Sequence, residues 1–250
     1  MKNFRPALIT LLGIFLFISK SYSQIKHHKS IVTNKMVVLT FKHNDSSSLE
    51  DHNDTLNIPV VSDKYPGLQK ALAFENIGDA DGLDSIKARY AACSCGLFDM
   101  AYDVVFETKD VLSISIYTEW MAAYPSSGTQ AITLNVHTGD AYPLSNEIGA
   151  AGRNWIYQTY KKLLKKRIAD DFKSRKDEDD EHDLAELNES IDSLGSDELF
   201  KSYLFTPRGI KFSTAGVLPH AVQAHEPDRE WFVPYARLRK YKMPHAIVIK

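Results

Sequence analysis

Between Asp99 and Ile148 the chain holds successive stretches whose residues alternate between two faces. Ala101, Asp103, Val105 and Glu107 interleave with Tyr102, Val104 and Phe106, and Leu112, Ile114 and Ile116 interleave with Ser113, Ser115 and Tyr117. A period of two sends successive side chains to opposite faces of a pleated strand. Lys109-Asp110 supplies a tight turn, YPSSG another, and HTGD a third after QAITLNV. The segment therefore predicts an antiparallel meander, polar on one face and buried on the other. Two earlier runs, Asn34 to Asn44 and LNIPVVS, predict further strands, with Pro59 suited to an edge or a bulge. The polar stretch NDSSSLEDHNDTLN between them predicts a loop.

Elsewhere the period is helical. In NWIYQTYKKLLKKRIADDF, Ile156, Tyr160, Leu163, Leu164, Ile168 and Phe172 recur at steps of three and four. Lys161, Lys162, Lys165, Lys166 and Arg167 occupy the remaining face and read as a solvated exterior. A shorter helix is predicted in YPGLQKALAFENIG, where Pro66 suits a helix start and Gly78 a stop. GDADGLD follows as a loop and lacks the Glu that closes a calcium-binding EF-hand loop. After the long helix comes an acidic run, Asp177 to Asp183, and then a stripe of Leu184, Leu187, Ile191 and Leu194. This predicts an acidic helical insertion over 173–198, folding back onto the basic helix or serving as a partner-binding appendage. LFKSYLFTPRGIKFSTAG returns to strand character around a turn at Pro207-Arg208-Gly209, and the final HAIVIK is β-like.

The N-terminus changes the expected compartment. Lys2 and Arg5 precede an apolar run from Ala7 to Ile18, shorter than the ~20 residues of a membrane-spanning helix, and Ser21-Tyr22-Ser23 offers small residues before Gln24. Residues 1–23 read as a cleaved signal peptide rather than an uncleaved anchor, and no cysteine follows to accept a lipid. The expectation is an exported chain, periplasmic or secreted, with no later membrane span. Residues 24–62 would hold N-terminal strands and a polar loop, and 63–250 the main domain. Loss of Lys2, Arg5 and Lys20 takes the net charge from −2 to −5, which gives no reason to expect a nucleic-acid partner. Export also places Cys93 and Cys95, the two cysteines of the chain, in an oxidising setting. The C-x-C spacing suits a redox pair, half of a soft-metal site, a local disulfide or two loop thiols. Zinc needs about four ligands, and no second cysteine pair exists.

Several phrases in order resemble a known family: YPGL with a helix behind it, VLSISIYTEW, ITLNVHTGDAYPLSNEI before an amphipathic helix, FTPRGIKFSTAG and FVPYARL. The resemblance is to the RsiV-like extracytoplasmic domain family, found as the outer portion of lysozyme-sensing anti-sigma factors and beside peptidoglycan deacetylase domains. Its motif positions fall on Asn135, Thr138, Gly139, Leu144 and Ile148, then on Gly209, Ile210 and Phe212, then on Val233, Pro234, Tyr235 and Leu238. It covers roughly Val60 to Lys242. It implies an α+β fold, an antiparallel sheet with one or two helices packed on one face. The sigma-binding segment and transmembrane helix of those receptors have no counterpart in this sequence, so anti-sigma function is not expected.

Candidate chemistry concentrates in GVLPHAVQAHEPDREWFVPYARL, residues 216–238. Pro219 and Pro227 bracket His220 and His225 and oppose the helix of an H-E-x-x-H zinc site. A hairpin bringing His220, His225 and Glu226 together would give the alternative, a metal-dependent hydrolase. The resemblance instead makes the stretch a loop between two strands. No G-x-S-x-G elbow or Gly-rich phosphate loop is present. The resulting expectation is a non-catalytic envelope domain without a cofactor, with an accessory structural protein as a further alternative. Its loops would contact a secreted protein such as lysozyme, or peptidoglycan fragments. The contact residues would be Tyr124, Pro219, His220, His225, Arg229 and Trp231.

Overall fold

The alternating segments pair into an open five-stranded sheet in the order β1-β2-β3-β4-β5. The computed structural model describes residues 30–42, 50–174, 184–214, 216–218 and 226–250. Residues 1–23, expected as a signal peptide, the acidic run Asp177 to Asp183, and Pro219, His220 and His225 lie outside them. Strands β1 (Val32–Phe41) and β2 (His52–Val61) are antiparallel along their full length. The meander of β3 (Gly96–Glu107), β4 (Val111–Met121) and β5 (Pro125–Asn135) is antiparallel as well. One junction is parallel, where β2 meets β3 at Leu56↔Met100. A parallel pair needs a crossover. It is made by α1 (Pro66–Ala71), α2 (Phe74–Ile77) and α3 (Leu83–Cys93).

The fold is α+β, and it departs from the sequence expectation in several places. His52 to Thr55, predicted as loop, belongs to β2 because distant groups hold it and the strand that continues from it. Leu56 is fully buried, Tyr90 donates to the Asp54 carboxylate, and His52 Nε2 lies 2.8 Å from Ser94 Oγ. Helix α3 was not anticipated; it shows the core only Ile86 and Tyr90, one turn apart. The helix predicted from Pro66 is interrupted at Leu72-Ala73. Leu199 to Lys201 end a short helix instead of opening a strand.

The meander also has no simple polar face. Leu112, Ile114 and Ile116 share a face with Met100, Leu56 and the contacts to α3. Behind them, Ser113 is equally inaccessible to solvent. A second, antiparallel sheet covers it, made of β6 (Tyr203–Phe205), β7 (Gly209–Phe212) and β8 (Trp231–Pro234). The Phe205 amide donates to Ser113 Oγ at 3.0 Å, Ser113 donates to Thr133 Oγ1 at 2.9 Å, and Thr133 donates to the Tyr203 carbonyl at 2.7 Å. The alternating serine and threonine are buried polar connectors between sheets, each satisfied as burial requires.

Helix α4 (Ala150–Ser174) lies over the second sheet and buries Ile156, Tyr160, Leu164 and Ile168 in one core with Phe205, Ile210, Phe212 and Val233. At ~1.5–3 kcal/mol per fully buried large side chain, this seam is a principal source of cohesion. Helix α5 (Leu184–Ser193) folds back on α4 through Leu187 and Ile191. Asp192 meets Lys165 at 2.7 Å and Lys161 at 3.4 Å, so part of the basic face is neutralised from within the chain. Helix α6 (Ser196–Lys201) leads into β6, and α7 (Tyr235–Leu238) follows β8.

The C-terminal HAIVIK is irregular rather than strand, because a side chain takes up its amides. Glu147, with no solvent exposure, accepts from the amides of Ile247, Val248 and Ile249 at 3.0, 3.1 and 2.9 Å, and from the Tyr142 hydroxyl at 2.8 Å. The Met243 amide adds a bond to the Glu147 carbonyl at 2.9 Å. No helix among the described residues is long and apolar enough to cross a membrane.

Candidate functional site

Strand β5 is an edge of the larger sheet, and its first half, Pro125 to Gln130, is exposed throughout. Sequence reading placed Ser126, Ser127 and Gly128 in a turn. The structure pairs them with Trp120, Glu119 and Thr118 of β4, and the hairpin turn is Ala122 to Tyr124. The polar run carries no apolar alternation, so its strand character comes from β4 alone. An edge strand presents unpaired backbone donors and acceptors along its free side.

Beside this edge lies an open groove of about 830 Å³. Ser127, Thr129 and Gln130 of β5 and Tyr117 of β4 line it together with Thr214, Asp228 and Arg229. The segment Glu226 to Glu230 is fixed from three directions. The Glu226 carboxylate accepts from the Val217 amide at 2.8 Å and the Leu218 amide at 2.9 Å, and Arg229 Nε approaches it at 3.5 Å. Arg167 of α4 donates to the carbonyls of Asp228 and Glu230, the latter at 3.0 Å, and pairs with the Asp228 carboxylate at 3.4 Å. The Tyr160 hydroxyl donates to the Arg229 carbonyl at 2.7 Å and accepts from Thr214 Oγ1 at 3.0 Å. Burial raises the Tyr160 pKa and keeps that hydroxyl a donor. Lys211 closes the set on Glu230 at 2.5 Å. The loop backbone is thus immobilised while carboxylates, a guanidinium, hydroxyls and an amide line the groove.

Two further acidic groups, Glu119 and Asp99, stand next to the lining without belonging to it. Tyr117 lines the groove and donates to the Glu119 carboxylate, which raises its pKa. Asp99 is raised by burial first and by the Glu119 charge second.

The expected contact residues fall in different places. Arg229 lines the groove. Tyr124 stands 83% exposed at the hairpin tip, immediately before β5. Trp231 turns toward the core edge, its ring 5.9 Å from Phe212, 6.0 Å from Tyr160 and 6.3 Å from Trp155. Glu226 has a structural task, since both its oxygens hold backbone amides. Among the described residues no group of three His, Cys, Asp or Glu side chains is arranged to hold a metal. Cys93 and Cys95 are joined as a disulfide at the end of α3, with Cα atoms 5.2 Å apart. Sequence reading missed Ser127, Thr129, Gln130, Thr214 and Asp228, whose meeting depends on the packing of one sheet against another.

The fold is similar to that of a crystal structure of a DUF3298 family member from Bacteroides fragilis, with a TM-score of 0.51 and 14% identity over 86% of this chain and 94% of that one. A DUF3298 family protein from Pseudomonas aeruginosa aligns with a TM-score of 0.48 and 13% identity over 85% of this chain and 96% of that one. At such identity the Bacteroides likeness is one of fold. No protein-family model and no curated protein matches the chain.

Proposed function

We propose that this chain is a non-catalytic, exported envelope domain, RsiV-like in role, that binds a protein or cell-wall ligand in the groove beside β5. One observation carries the reading: an exposed polar edge strand lines an open groove together with a segment whose carbonyls are hydrogen-bonded by Tyr160 and Arg167. A free strand edge takes an extended peptide by main-chain hydrogen bonding, and flanking side chains select it. A secreted protein such as lysozyme, or the peptide stems of peptidoglycan fragments, supplies such a segment. Preorganisation of that segment lowers the entropy lost on binding. The reading as a binder rather than an enzyme is supported by the occupation of Glu226 with loop amides and by the strand placement of Ser126 and Ser127.

Calorimetric titration of the chain with lysozyme and with purified peptidoglycan fragments tests the proposal. Saturable binding to one of them is expected. Thr129→Arg, a bulky charge on the exposed half of β5, is expected to weaken it at least tenfold while circular dichroism stays unchanged. Binding that Thr129→Arg leaves intact would place the ligand elsewhere.

A further inference from the structure

The disulfide stands apart from the groove and encloses too little chain to be explained by stability. A crosslink constrains the unfolded chain more as its loop lengthens. This one joins cysteines only two positions apart. The residue between them, Ser94, has φ 50°, the only positive φ among the described non-glycine residues. Ser94 closes the C-terminus of α3 in the left-handed region, its amide bonded to the Tyr90 carbonyl, a conformation that L-residues with side chains adopt less readily than glycine. Strained or exposed disulfides are the labile ones.

The surroundings suit chemistry. Cys93 is exposed, while Ser94 and Cys95 are half-buried. With His52, Asp54 and Phe98 they line a cavity of about 440 Å³. His52 Nδ1 lies 2.7 Å from the Glu50 carbonyl, which can only accept, so Nδ1 carries the ring proton. Nε2, the other ring nitrogen, lies 2.8 Å from Ser94 Oγ. The residue between the two cysteines is therefore tethered to β2 through the His52 imidazole. Tyr90, one turn earlier on α3, is tied to Asp54 of the same strand.

We propose that Cys93–Cys95 is a thiol-exchange centre that oxidises a dithiol carried by a peptide or protein partner. A partner thiolate attacks Sγ of Cys93, the more exposed of the two residues, and a mixed disulfide forms as the Cys93–Cys95 bond breaks. Cys95 departs as a thiolate and takes a proton in place of the one the attacking thiol lost to solvent. The partner's second thiol, deprotonated in turn, attacks the partner sulfur of the mixed disulfide. Cys93 leaves as a thiolate and is protonated. Two partner thiols become one disulfide, and Cys93 and Cys95 become two thiols. The same exchange run backward on a partner disulfide restores the bond.

The test incubates the folded chain with a dithiol peptide under native conditions, quenches with iodoacetamide and weighs the products. One peptide disulfide per opened Cys93–Cys95 bond is expected, with circular dichroism unchanged. A bond that the peptide opens only after a denaturant is added overturns the proposal. The attack site is read from single variants. With oxidised glutathione, Cys95→Ser, which leaves Cys93, is expected to form a mixed disulfide at least tenfold faster than Cys93→Ser, which leaves Cys95. Equal rates overturn the assignment of Cys93, and the wild-type peptide reaction decides the proposal even where a variant does not fold.

Discussion

At the scale of single residues, Glu147 carries more of the structure than its place in LSNEI suggests. Three consecutive C-terminal amides and one phenol depend on a single carboxylate with no access to water. Bonds to a charged acceptor are the stronger kind, and leaving buried donors unpaired costs their full desolvation. Glu147→Gln keeps the shape but turns an amide NH2 toward N–H donors. It is expected to lower stability by about 2–4 kcal/mol, measured by urea unfolding, with faster hydrogen exchange at Ile247 to Ile249. Unchanged exchange there would show that the tail is held by other contacts. The sequence reveals Leu144 and Ile148 as motif positions but not the task of the Glu between them, since the three amides it holds are about 100 residues away.

At the scale of elements, what was legible depended on how many apolar residues each element places in the core. Helix α4 was readable because Ile156, Tyr160, Leu164 and Ile168 repeat along it, and β3 and β4 because they alternate. Helix α3, with two buried residues, and the polar half of β5, with none, carry almost no pattern; their neighbours define them. The same dependence fixes α1. A Cβ on Gly67 would lie 2.1 Å from the Thr138 carbonyl oxygen, and Gly139 in that turn has φ +77°. The helix start and the HTGD turn meet backbone to backbone. Gly67→Ala is expected to cost about 1–3 kcal/mol or more by forced overpacking. Gly195→Ala, with nothing within 4 Å of the added carbon, is expected to change stability by no more than ~0.5 kcal/mol. Paired urea midpoints check this; equal losses would remove the close approach from the account.

At the scale of the whole molecule, two sheets and their helices share aromatic and hydroxyl groups at the interior seams. Tyr90, Tyr142, Tyr203 and Tyr235 all have pKa values pushed well above the ordinary 10, with burial the largest cause in each. Below that value the phenols are neutral whether the chain is folded or unfolded. Above it the unfolded chain releases protons that the folded chain retains, so stability falls as pH rises. Phenolate absorbance is expected to show these four ionising together with loss of the circular dichroism signal in strong alkali. Their separate titration near pH 10 with the fold intact would contradict the burial. The groove belongs to this scale too. Sequence pointed to Arg229 and Tyr124, but the polar strand that lines the groove with Arg229 becomes visible only when the sheets are stacked. The central claim is that the free edge of β5 receives a ligand. Hydrogen exchange of the chain with and without lysozyme or peptidoglycan fragments tests it most directly. Slowed exchange at amides within Ser126 to Gln130 on ligand addition is the predicted result. A bound ligand that leaves those amides unchanged, and slows exchange only on other surfaces, would contradict it.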